Sequence, residues 1–481
     1  MNSPNGQEGR DLQAAFRLLP GVDEALRVAR VARLAAETGR EEVARLVRGA
    51  LDGLRREISD GRLDAAGLAE RLGADELAAR VEALFMAERK QGIQRVINAT
   101  GVVLHTGLGR APVHPEVADK MASISSGYCV LEVERASGKR NRRDDHLSNL
   151  LARLTGCEAA IAVNNNAAAV FLCLQTFGAC REAVVSRGEL VEIGGSFRVP
   201  DVMTRAGVRL HEVGTTNRTR AEDYRNAANA ETGLLLKVHT SNFRVVGFTE
   251  EVSMTELAEL GRELDVPSIF DLGSGLLEHD DLQPLPEMGN ETLVQEAVAS
   301  GIDIVSFSGD KLFGGPQAGL IVGKRKFIEE LRKNPIYRAM RLDKATLAGL
   351  EGTVRLILDG RGDEIPARAM MCRPLDELKS LAEALAARLD AIPGLHAEVI
   401  ADKSQPGSGS APDVFLDTWA VRLLADTLSP DALARRLRMG DPSLFARIQD
   451  NGVVCDPRTL LDGEADGMIQ AFEQALEATA G

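Results

Sequence analysis

The chain predicts an α/β protein: a large, mainly parallel sheet covered on both faces, with a helical domain before it and a small α/β domain after it. Three observations carry that expectation. Residues 11–90 show only the helical spacing of Leu, Val and Ala. From Ile97 to about Gly323, short β-rich runs alternate with helical stretches. Strands that are apolar throughout, joined by helical crossovers, belong to parallel sheets buried on both sides. Beyond Leu342 the chain turns helical again, then forms strands at Ala397–Ile400 and Trp419–Leu423 around a loop from Ser404 to Pro412. The expected domains are 1–90, 91–345 and 346–481.

Taken in order, Leu12–Leu19 is the first expected helix, and Pro20-Gly21-Val22-Asp23 breaks it and caps the next. Glu24–Glu37, Glu41–Ile58, Asp64–Leu72 and Asp75–Lys90 continue the helical pattern. Arg27, Arg30 and Arg33 fall on one segment, either as a binding patch or as a solvated helix face. The expected strands are Val102–Leu104, Ala159–Val163, Ala183–Val185, Arg209–Val213, Leu234–Val238, Ser268–Phe270, Asp303–Ser306 and Leu320–Val322. Pro374–Leu389 reads as the helix leading into the C-terminal unit. In parallel sheets the chemistry gathers beyond the strand ends. Asn164–Asn166, Ser186–Glu189, Asp271 and Lys311 all fall there.

At 481 residues, 44% apolar and 27% charged, the chain has ample material for a buried core. Its apolar runs are too short to cross a bilayer. The segment opening at Met1 lacks the basic-then-apolar pattern of a secretory signal, so a cytoplasmic, membrane-free protein is expected. Six scattered cysteines contain no Cys-x-x-Cys pair, and seven histidines show no ligand spacing, which argues against a disulfide frame or a zinc site. The net charge of −14 disfavours nucleic acid at first sight. Its distribution softens that objection. Residues 1–95 hold 16 basic and 16 acidic side chains, 15 of the basic ones arginine, so the excess acid lies entirely beyond them.

The most informative stretch is Ser306-Phe307-Ser308-Gly309-Asp310-Lys311-Leu312-Phe313-Gly314-Gly315. It sets one lysine between a buried strand and a glycine-rich turn, where an ammonium lacks water. Condensation with an aldehyde cofactor resolves that conflict, because the Schiff base sits in a shielded site and awaits an amine. Forty residues upstream, a strand ends in Asp271, followed by glycines. An acid there would keep a pyridine nitrogen protonated, although a strand-end Asp also caps turns. Asn165, Asn166 and Ala167 open a helix, whose free N–H groups suit a phosphate, and Ser308 adds a hydroxyl. These features point to pyridoxal 5′-phosphate, held by Lys311.

Longer runs carry a resemblance: Ile97–Thr106, Val163–Ala169, Ser186–Met203, Gly214–Thr219 and Ser306–Gly319. Through them, nearly the whole chain resembles bacterial selenocysteine synthases, the L-seryl-tRNA(Sec) selenium transferases. The resemblance implies a fold-type-I, aminotransferase-like pyridoxal-phosphate enzyme with a helical tRNA-binding N-terminal domain, assembled as a decamer of five dimers. It implies conversion of seryl-tRNA(Sec) to selenocysteinyl-tRNA(Sec) through an aminoacrylyl intermediate, with selenophosphate as selenium donor. Lys311 matches the cofactor lysine, and Arg110, Arg338 and Arg341 match the arginines that hold the phosphate end of selenophosphate. Arg338 and Arg341, three apart on an expected helix, would then face one anion.

Two stretches depart from the family pattern: Gly107 stands where Asn is usual, and Ala136–Arg143 holds Lys139, Arg140, Arg142 and Arg143 in place of a glycine-and-arginine pattern. One alternative is a pyridoxal-phosphate enzyme that eliminates or replaces a β-substituent on a small molecule without tRNA. Another is a DNA-binding regulator, which would need a β-hairpin wing within residues 1–90, where none is visible.

Overall fold

The computed structural model describes residues 15–60, 71–89, 92–193, 197–279, 282–286, 288–289, 291–407, 409–411 and 413–477. The chain divides into two compact units, Met1–Arg95 and Val96–Gly481.

The first unit is helical: α1 (Ala29–Thr38), α2 (Arg40–Ser59) and α3 (Ala74–Arg89), with no strand among its described residues. Helix α2 buries one stripe, Val43, Leu46, Val47, Ala50, Leu51, Leu54 and Ile58, against Val31 of α1 and Leu77, Ala78 and Val81 of α3. That i, i+3, i+4 spacing is what made the helix legible. The expected helix Glu24–Glu37 is two pieces, Val22–Ala25 and Ala29–Thr38, because Val28 takes an extended ψ and caps the second. Most of Asp64–Leu72 lies outside the described residues, and Leu12–Leu19 is described only from Ala15 onward. Arg30 is tied to Glu82, and Arg45 to Glu42 and Glu88. Arg27 and Arg33 stay exposed with no partner among the described residues.

The second unit is built on a seven-stranded sheet: β1 (Ala159–Val163), β2 (Glu182–Ser186), β3 (Arg209–Val213), β4 (Thr232–Val238), β5 (Ser268–Gly273), β6 (Ile304–Ser308) and β7 (Gly319–Gly323). Its order is β1-β7-β6-β5-β4-β2-β3. All neighbours run parallel except β7, which is antiparallel to both β1 and β6. Successive side chains alternate between two apolar clusters. Ile161, Leu234, Ile269 and Ile304 enter one, while Ala160, Leu235, Phe270 and Val305 enter the other. This period-two alternation buries both faces of the strands, except at the edge strand β3, where Arg209 and Glu212 are exposed.

The second sheet is antiparallel, ordered β8-β9-β11-β10, from β8 (Leu395–Ser404), β9 (Leu416–Ala425), β10 (Arg447–Gln449) and β11 (Gly452–Cys455). Buried side chains of helices Leu375–Asp390, Pro430–Met439 and Glu464–Glu477 join its core. The expected strand Val102–Leu104 joins neither sheet. Its Val103 and Leu104 N–H groups instead donate to the carbonyls of Gln405 (3.0 Å) and Pro406 (2.8 Å), just past β8.

The antiparallel β7 fixes the site. Gly319, its first residue, pairs with Val163 and with Ser308, the last residues of β1 and β6. The polar segments after those two strands therefore meet over one glycine. A Cβ on Gly319 would sit 2.1 Å from the Asn165 carbonyl oxygen, closer than any real contact. Gly319→Ala is expected to lower stability by about 1–3 kcal/mol, as overpacking against backbone does. A thermal melt of the variant beside the parent protein checks it; an unchanged Tm would contradict this reading.

Candidate active site

Helix α4 (Asn166–Gly178) starts directly behind β1. The Asn165 side chain caps it by accepting the Ala168 N–H at 2.9 Å, and the Asn165 carbonyl accepts from Ala169 (3.1 Å). The N–H groups of Asn166 and Ala167 are left over, as the first donors of a helix always are. They point where an anion would sit. The three asparagine side chains split their work. Asn164, with its amide nitrogen turned to satisfy its neighbours, binds the carbonyls of Met340 (2.9 Å) and Arg341 (3.3 Å). Asn165 caps, and Asn166 Nδ2 donates to Asp271 Oδ1 at 2.7 Å.

Asp271 lies within β5, 5% exposed. Ser306 of the neighbouring β6 also donates to Oδ1, at 3.3 Å. A bulge follows Asp271, shifting the register so that Gly273 pairs with Phe307. Both hydrogen bonds fall on one oxygen, which leaves Oδ2 for a ring nitrogen. Burial raises the Asp271 pKa, against the pull of the Asn166 hydrogen bond and the Lys311 charge.

Lys311 is 9% exposed. Its Nζ donates to the carbonyl of Gly409 (2.9 Å), in the loop joining β8 to β9. Burial lowers its pKa; the Asp271 charge opposes that, and the Arg110 charge adds to it. Desolvating an ammonium costs several kcal/mol, and one nearby carboxylate does not fully repay it. The balance shifts the group towards the neutral amine, the form that attacks a carbonyl and accepts a proton. Ser308, also buried, ends β6 beside it, and its hydroxyl makes no hydrogen bond among the described residues.

Arg110 reaches the same place from a distant segment. It adopts a left-handed backbone (φ 64°) and pairs with buried Asp310 at 2.7 Å. Arg341 lies next to the end of β1, bridging Val163, with Nε buried and unpartnered. The expectation that Arg338 and Arg341 share a helix is corrected. The helix Pro335–Ala339 stops after one turn, because Arg341 pairs with β1 instead. Arg338 is exposed and has no partner among the described residues. In the basic loop, Arg142 forks onto Glu329 (2.8 and 3.0 Å), while Arg140 and Arg143 bind Glu132.

Two residues that sequence reasoning missed complete the surroundings. His239 follows β4, donates its backbone N–H to the Asp271 carbonyl (2.9 Å) and places Nε2 3.2 Å from Glu291 Oε1. Its position just past the expected strand Leu234–Val238 was a usable signal. Glu291 sits in an irregular stretch that gave none.

These residues fit a pyridoxal phosphate. One end offers the free N–H groups of Asn166 and Ala167 and the Ser308 hydroxyl; the other offers Asp271. Lys311 belongs to the same cluster. Among the described residues no group of His, Cys, Asp and Glu could hold a metal ion, and no helix is long and apolar enough to cross a membrane.

Sheet order, strand-end lysine and buried aspartate define a fold-type-I, aminotransferase-like enzyme. The structure of D-glucosaminate-6-phosphate ammonia-lyase has the same fold, with a TM-score of 0.55 at 23% identity over 82% of this chain and 99% of that one. The profile described as L-seryl-tRNA selenium transferase matches residues 96–461, and that described as selenocysteine synthase N terminal matches residues 16–55. The L-seryl-tRNA(Sec) selenium transferase of Solidesulfovibrio magneticus is 48% identical, covering 97% of this chain and 99% of its own. That of Aquifex aeolicus is 43% identical over 90% and 94%. The chain belongs to the L-seryl-tRNA selenium transferase family.

Because burial raises the Asp271 pKa, its contribution to folding is largest at acid pH and is lost as pH rises through that raised value. Without cofactor, Asp271→Asn should therefore melt higher than the parent protein at pH 7. The gap should close as pH falls towards the ordinary carboxylate range. Scanning calorimetry across pH measures it, and a gap that widens on acidification would contradict the assignment.

Proposed function

We propose that the protein converts L-seryl-tRNA(Sec) to L-selenocysteinyl-tRNA(Sec), with pyridoxal 5′-phosphate as cofactor and selenophosphate as selenium donor. The observation that carries this reading is the desolvated Lys311 amine in one cluster with Asp271, in a chain that family models match over residues 16–55 and 96–461. When bound, pyridoxal phosphate supplies an electron sink for charge developing at the substrate α-carbon.

The chain's own residues do the rest. The N–H groups of Asn166 and Ala167, with Ser308, hold the phosphate. Asp271 keeps the ring nitrogen protonated through its open oxygen. Lys311 would hold the cofactor and, as a free amine, would take the proton from the substrate α-carbon. The β-hydroxyl would leave with that proton as water, giving the aminoacrylyl form of the seryl group on the tRNA. Arg110, Arg338 and Arg341 would bind the phosphate end of selenophosphate and direct selenium to the β-carbon; Lys311 would pass the selenol proton to the α-carbon, and water would cleave the selenium–phosphorus bond to release phosphate. The unpartnered Arg338 and Arg341 Nε suit that task. The helical domain 1–90 binds tRNA, residues 91–345 form the cofactor domain and residues 346–481 the small domain. The assembly is a cytoplasmic decamer of five dimers.

The deciding experiment incubates purified protein with seryl-tRNA(Sec) and selenophosphate; no selenocysteinyl product would defeat this reading in favour of a small-molecule β-elimination or replacement. Lys311→Ala should abolish turnover and lose the borohydride-fixable cofactor seen by mass spectrometry. Arg338→Ala should raise the KM for selenophosphate about 10-fold or more, the value of a charge-assisted hydrogen bond. Dehydration of the seryl group should continue. Loss of both steps together would count against the arginine's role.

A further inference from the structure

A cleft of about 310 Å³ opens beside the site, at the ends of β2, β3 and β4. It shares His239, Glu291 and Ala411 with the surroundings of Lys311, but Lys311 is not in its wall. Whatever fills it is the part of a substrate next to the reacting atoms. Five carboxylates line it, against two arginines, Arg218 and Arg244. With both signs in its wall, the cleft suits a neutral group rich in hydroxyl donors.

Most of those carboxylates are spent. Lys237 engages Glu189 and Glu251 (3.2 Å each), and Arg220 engages Glu250 (3.0 Å). Glu291 differs. Its side chain is 1% exposed, its Oε1 takes His239 (3.2 Å) and the Ala411 N–H (2.8 Å), and its Oε2 is buried with no hydrogen-bond partner among the described residues. Burial works to raise the Glu291 pKa, but His239, the nearby Ser274 and the Ala411 N–H outweigh it and lower it from the usual carboxylate value. Ser274 Oγ lies near it without reaching hydrogen-bond geometry. A buried charged oxygen left unpaired is costly, so it marks a place where a ligand donor completes the shell.

We propose that this cleft receives the terminal ribose of the aminoacylated substrate, with the open Glu291 oxygen accepting its 2′-hydroxyl. The assignment rests on the seryl-tRNA reading. It adds a substrate subsite distinct from the arginines that take the selenium donor. Among the hydroxyls a seryl-tRNA carries, the 2′-hydroxyl adjoins the ester and lies just beyond the reacting serine. His239 is a positioning residue here, holding the carboxylate rather than touching the reacting atoms.

The test uses the full-length, cofactor-loaded protein and two stable probes: 3′-deoxy-3′-serylamido-adenosine and its 2′-deoxy counterpart, with binding measured by calorimetry. The parent protein should bind the 2′-hydroxyl probe about 10–100-fold more tightly, as expected for a hydrogen bond to a charged group. In Glu291→Gln that ratio should fall to about threefold as the acceptor loses its charge. Equal affinities in the parent protein, or an undiminished ratio in the variant, would overturn the proposal. The parent ratio decides alone if the variant does not fold. Selenium transfer measured on the same preparation separates the two readings. Discrimination without transfer would sink the seryl-tRNA function and keep the ribose subsite, whereas transfer without discrimination would do the reverse.

Discussion

An amine buried where its charge is unwelcome is the constraint around which the large sheet is organised. Lys311 can be kept there only if its surroundings supply a carbonyl, a carboxylate and little water. The sheet meets that demand by topology. One antiparallel strand, β7, lies between the ends of β1 and β6 and brings the start of helix α4 and the lysine loop to the same glycine. Asp271 then comes from the adjacent parallel strand, and a bulge behind it resets the register. Each of these polar groups is tolerable in the interior only because another answers it.

The electrostatics of the site are arranged in opposed sectors. The side at the start of helix α4 offers backbone N–H groups and the Arg341 guanidinium, whereas the adjoining cleft is lined by five carboxylates and two arginines. Arg110 pairs with Asp310, the residue before the lysine.

Much of this was legible in the residues, for physical reasons. Apolar runs identified six of the eight strands expected before Gly323, because a strand buried on both faces has no polar alternation to blur it; the edge strand β3, Arg209-Leu210-His211-Glu212-Val213, was found without such a run. The helices of the first unit were legible through the period of their buried stripe. Val102–Leu104 misled because a short apolar run reads the same whether it joins a sheet or pairs with a loop. Lys311, Asp271 and the helix start at Asn166 were visible because strand ends concentrate chemistry. Glu291 and Gly409 were not. Both act from irregular segments, where contacts depend on the return path of a distant chain rather than on any local period.

The loop that supplies the Gly409 carbonyl joins two strands of the second sheet, while Lys311 belongs to the first. The reactive amine is thus tethered to a separate structural layer. A tilt of that layer away from the large sheet would lengthen this hydrogen bond and let water reach the nitrogen, relaxing the burial that lowers its pKa.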